Sequence, residues 1–120
     1  MALIRALSSV GGDGGIDVTN FTSSTSVTSV NSGSYLDFTV TQKPRYIFVT
    51  YLYTTANIYV RNDLIDVEKG KVFKAFKRVD STSYEASSAN VTDEYSYSGT
   101  TLSVKNMTNA TRYMAVVAFY

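Results

Sequence analysis

From Ile16 onward apolar side chains recur at every second position, first as Ile16 and Val18, and later as Leu36, Phe38 and Val40 set against Asp37 and Thr39. That period of two is the mark of half-buried strands, because successive side chains of an extended chain point to opposite faces. Ile16 to Phe21 reads as the first strand. Behind Pro44, which can only open a strand or sit at its edge, Arg45 to Tyr53 is an almost unbroken run of β-branched and aromatic residues. Such a run predicts a central strand buried on both faces.

Further along, Ile58 to Arg61 and Leu64 to Val67 flank Asn62-Asp63, a pair suited to the positive φ angles of a tight turn, so a β-hairpin is expected there. Lys71 to Val79 is ambiguous, since Val72, Ala75, Phe76 and Val79 also share one helical face. The shortness of the segment favours a strand, isolated helices of this length being marginal. Asn90 to Tyr97 and Thr101 to Met107 bracket Ser98-Gly99-Thr100 as a second hairpin, and Arg112 to Tyr120 closes the chain as an apolar strand that must be buried. The sum is an all-β fold of eight to ten short strands, a small antiparallel β-sandwich or jelly-roll-like barrel.

The chain has 120 residues, enough for one core and too few for two. Residues 16–120 form the expected single domain. Residues 1–15, with a short apolar start and Gly11-Gly12-Asp13-Gly14-Gly15, read as an arm for attachment or assembly. A phosphate-cradling use of that glycine stretch would need a helix opening directly behind it, where a strand is expected instead. Seven residues of apolar start are too few for a signal-peptide core or a membrane span.

Charge and composition narrow the function classes. The net charge is +1, which gives no broad field for nucleic acid or an anionic membrane. Cys and His are both absent, which removes disulfides, thiolate nucleophiles, imidazole bases and most transition-metal ligands. No enzymatic activity and no cofactor are therefore expected. A glycosidase would need two carboxylates facing across a cleft, and the candidates Asp66 with Glu68 and Asp93 with Glu94 read more simply as solubilising strand ends. Asp13 with Asp17, or Asp63 with Asp66, are sparse for calcium. The triplets at Asn20, Asn90, Asn106 and Asn109 match the N-glycosylation pattern, as a chain with this much Thr will by chance.

What remains is a binding surface. Ten Tyr and a Ser/Thr content of about a quarter suit an adhesive or assembled exterior. Tyr51, Tyr53, Tyr59, Tyr95 and Tyr97 alternate within strands, so each set shares a face and can form a strip in the core or at an interface with a ligand or another subunit. Lys69, Lys71, Lys74, Lys77 and Arg78 form the one basic cluster, with Lys74, Lys77 and Arg78 the candidates for meeting an anionic polymer.

The run Lys43-Pro44-Arg45-Tyr46-Ile47-Phe48-Val49 after an alternating strand resembles the small β-domains that end many bacteriophage tail-fibre and related virion proteins. Tyr95 to Gly99, Leu102-Ser103-Val104 and the closing strand with Tyr113-Met114-Ala115 are similar too, so the resemblance spans roughly residues 35–120. It implies a homo-oligomer, a trimer first, on the virion surface, contacting other virion proteins through the arm and bacterial surface glycan through the domain. The chain starts at its own Met1 with a short arm, which points to a separate subunit rather than a fibre end. Tail-associated host adhesion leads, followed by capsid decoration or a head fibre. A stand-alone carbohydrate-binding module, and then a small carboxylate enzyme, are the rivals from other classes.

Overall fold

In the computed structural model, residues 15–52, 59–78, 82–83 and 85–120 are described, and among them ten strands and no helix are found. In chain order they are β1 (Phe21–Ser23), β2 (Thr28–Val30), β3 (Tyr35–Thr39), β4 (Tyr46–Leu52), β5 (Tyr59–Asp66), β6 (Lys71–Arg78), β7 (Glu85–Asn90), β8 (Tyr95–Ser98), β9 (Thr101–Lys105) and β10 (Arg112–Phe119). Every pairing is antiparallel. The larger sheet runs β1-β10-β4-β5-β6-β7, with β2 beside β1 on the same edge of β10, and the smaller sheet runs β3-β9-β8. The all-β sandwich expected from the alternation is what the chain forms.

The core lies between the sheets. Ile47, Val49 and Tyr51 of β4 and Met114, Val116 and Ala118 of β10 face Leu36, Leu102 and Val104 of the smaller sheet, joined by Val30, Val40, Ile65 and Val72. Burying each large aliphatic side chain contributes about 1.5–3 kcal/mol, so this layer supplies most of the drive to fold. The C-terminal strand is central to the larger sheet, in register with β4 from Tyr113↔Leu52 to Phe119↔Tyr46. Its inward side chains are buried, as its hydrophobicity required.

Among the described residues three turns use left-handed backbone, at Gly33, Gly70 and Gly99. Gly99, at φ 64°, turns β8 into β9 with Ser98 paired to Thr101, which is the second hairpin as expected. Gly70, at φ 66°, ends the β5–β6 turn, where its N–H donates to the Asp66 carbonyl at 2.9 Å. Lys71 to Arg78 is a strand throughout, so sheet pairing on both sides overrides its helical periodicity.

Four expectations need correction. Ile16 to Asn20 is not strand. Asp17 folds the chain into a turn by accepting hydrogen bonds from the Thr19 N–H and hydroxyl at 2.9 and 2.6 Å, and extended pairing starts at Phe21. Asn62-Asp63 is no hairpin turn but the middle of the continuous strand β5, paired on both sides. Asn62 accepts from the Thr50 hydroxyl on the neighbouring strand at 3.1 Å, and Asp63 turns inward to Arg61. Tertiary partners thus satisfy two polar side chains that local propensity assigns to a loop. Asn90 closes β7 rather than opening β8, and the polar strand β7 was not signalled by any alternation. Finally, β4 is covered on one face only, with Phe48 and Leu52 exposed.

Candidate functional site

The register places the tyrosine and lysine candidates in three different settings. Tyr51 is 1% exposed. Its hydroxyl donates to the Lys105 carbonyl and accepts from the Met107 N–H, both at 3.2 Å, tying the larger sheet to the end of β9. The Arg61 guanidinium lies 5.1 Å from its ring centroid. This tyrosine belongs to the packing of the domain rather than to a surface strip.

Tyr95 and Tyr97 share a face, as their spacing implied, and it is the inward one. Their partners Val104 and Leu102 are buried, and both rings pack half-buried against the core. Burial pushes the Tyr95 hydroxyl above its usual pKa, with the neighbouring Glu94 carboxylate adding to the shift. Tyr53 lies outside the described residues, as do the side chains of Tyr59 and Arg78, whose backbones pair with each other at the end of β5 and β6.

The basic cluster divides between faces. Lys74 pairs with Asp63 and sits half-buried on the core side, while Lys77, an odd number of residues away, sits exposed on the opposite side with Lys71. No single basic patch results from the described members.

The candidate carboxylates are occupied locally, except Asp13, which lies outside the described residues. Asp63, 1% exposed, binds Arg61 through two hydrogen bonds of 2.9 and 3.0 Å. Glu68 pairs with Arg45 at 3.0 Å, and Asp66 accepts from the Lys69 N–H. Asp93 pairs with Lys105, which holds its carboxyl below the usual carboxylate range. Glu94, also buried, folds back onto the Thr92 N–H at 2.7 Å. Among the described residues no group of three acidic side chains gathers as metal ligands.

Asn106 stands out from the four triplet asparagines. It is 1% exposed, and its amide nitrogen donates to the carbonyls of Val30 and Ala110 at 2.9 and 3.0 Å. Its side-chain oxygen accepts from the N–H and hydroxyl of Thr108 at 2.9 and 2.6 Å, so the two polar residues of the triplet bind each other. Asn106 is a structural hub, and nothing in the triplet pattern distinguished it from Asn20, Asn90 or Asn109.

The largest unassigned feature is the outer face of the larger sheet. Following the register across the strands, Val117, Phe48, Leu64 and Phe73 form one apolar row from β10 to β6. Phe48 is 36% and Phe73 46% exposed, and Tyr113, Leu52 and Phe21 on the same face are exposed as well. Phe21 pairs with Phe119, their ring centroids 6.1 Å apart. The unbroken hydrophobicity of Arg45 to Tyr53 was the signal for this surface, because a strand apolar on both faces asks for cover on both.

With this geometry described, comparison of the chain with known protein families, curated proteins and solved structures found no match.

Proposed function

We propose that this chain is a non-catalytic structural subunit on the exterior of a bacteriophage particle, acting in several copies and serving tail-associated adhesion to the host surface. The observation that carries the reading is the uncovered apolar face of the larger sheet. Contiguous apolar patches beyond a few hundred Å² mark interaction surfaces rather than free solvent boundary. The Lys43 to Val49 run and the Tyr-rich closing strands, with their resemblance to virion β-domains, supply the setting. Several copies would turn weak individual sugar contacts into firm attachment.

Capsid decoration is the second reading, favoured by one specific observation: Tyr51, Tyr95 and Tyr97 face the core and not a ligand. The test is to label the protein on purified particles and to measure its retention on isolated bacterial walls. Tail labelling with wall retention supports adhesion. Head labelling without retention supports decoration, and absence from particles refutes both.

A further inference from the structure

The outer face of the larger sheet is a ridge beside a trough. The ridge is the row Val117–Phe48–Leu64–Phe73, and the next row along the strands is Ala115–Thr50–Asn62–Ala75, made of small or short side chains. At about 3.4 Å per residue the two rows lie about 7 Å apart. The row beyond the ridge is Phe119–Tyr46–Asp66–Lys71, and beyond the trough stand Tyr113, Leu52 and Lys77. The charged groups of these end rows sit at the β5 and β6 positions, which matches a protein interface that is apolar at its core and polar at part of its rim.

We infer that this face is covered by the same face of a second copy of the chain, about a two-fold axis that crosses the strands between the ridge and the trough. The inference rests on the assembly reading above and names its partner. An axis in that direction reverses the strands, so it lays each copy's ridge over the other's trough. An axis along the strands would set ridge against ridge and hold the sheets apart. The same operation lays Lys71 of one copy over Lys77 of the other at the β6 edge, so the apolar rows and not the rim charges carry the contact. With a net charge of +1 per chain, overall repulsion between copies is negligible.

The area fits. Six strands about 4.8 Å apart, from three to eight residues long and about seven on average, give a face of about 24 by 24 Å, or about 600 Å² per copy. Two such faces remove about 1,200 Å², the lower bound of a stable specific interface. The two larger sheets then stack about 10 Å apart with strands aligned, the ordinary geometry of packed sheets. β4 becomes covered on both faces, as its sequence asks. A two-fold contact of identical patches closes on itself as a dimer, not as the trimer that the family resemblance implies.

The experiment is the mass of the full chain in solution by light scattering at about 100 µM, for the native protein and for Phe48→Glu and Phe73→Glu. The second measurement uses Thr50→Cys in a chain that has no other cysteine, treated with a short bis-maleimide. The expected result is a particle of twice the 13.2 kDa chain mass, reduced to one chain by either glutamate with an unchanged circular-dichroism spectrum, and a covalent dimer from Thr50→Cys. A trimer overturns the inference, as does a dimer that neither glutamate disrupts. A monomer also overturns it. A chain that pairs only after removal of residues 1–14 assigns the face to that segment instead. Each of these failures leaves the particle assignment to its own labelling test.

Discussion

Replacing Asn106 probes how the two ends of the sandwich are tied together. The side chain makes four hydrogen bonds, to the carbonyls of Val30 and Ala110 and from the N–H and hydroxyl of Thr108. Asn106→Ala removes all four, taking the side-chain donor from the Val30 carbonyl, on a residue only 4% exposed and paired with Arg112 in the sheet, and leaving the Thr108 N–H without its acceptor. A stranded buried group costs about 1–3 kcal/mol, and groups nearer solvent cost less, so a loss of about 3 kcal/mol is expected. Urea unfolding at fixed protein concentration measures it. With a slope of about 1.5 kcal/mol per molar for a chain this size, the midpoint falls by about 2 M.

Asn106→Asp sharpens the test, because it keeps the shape and swaps a donor for an acceptor. Two carbonyl oxygens then face a carboxylate oxygen, which raises the folded-state pKa of the new group above its unfolded value. The added penalty is fully present above the raised folded-state value, is relieved as pH falls through it, and is gone below the unfolded value. Asn106→Asp should therefore be the more damaging change at pH 7 and converge toward Asn106→Ala near pH 4. Losses below about 0.5 kcal/mol, or an Asp variant that ignores pH, would refute the claim that this amide holds buried carbonyls.

Three further outcomes are expected. Asp63→Ala leaves the Arg61 guanidinium without its buried carboxylate and should cost about 3–5 kcal/mol in urea unfolding, while replacing both residues by apolar ones should cost less than the single change. Gly99→Ala meets no atom within 4 Å, so its cost is the left-handed backbone alone, about 1 kcal/mol in thermal or urea unfolding. Asp93 has a depressed folded-state pKa from Lys105 and Thr92; its contribution is therefore present above the unfolded value of 3.8 and is lost as pH falls through the folded one. Asp93→Asn should flatten the stability profile in that acid range, and an unchanged profile would remove the pair from the account.

Much of the site logic was unreadable because polar partners are distant in sequence. Asn106 reaches Val30, and the Tyr51 hydroxyl reaches Lys105 and Met107, across gaps that no spacing rule spans. Asn62-Asp63 carries the composition of a turn and is strand, because Thr50 and Arg61 supply what a turn's backbone would have supplied. Tyr95 and Tyr97 were rightly placed on a common face, but which way that face looks depends on the sheet opposite.

The alternation along the chain determined by itself that this protein is an all-β sandwich, where most strands run and that Gly99 turns a hairpin, since side-chain period and backbone freedom are local properties. The tertiary structure alone decided which sheet each strand joins, that the polar segment β7 pairs with β6, and that one face of β4 is left open. The physical reason is that pairing and cover are set by groups far apart in sequence, so a local pattern records that a face must be buried without recording what buries it.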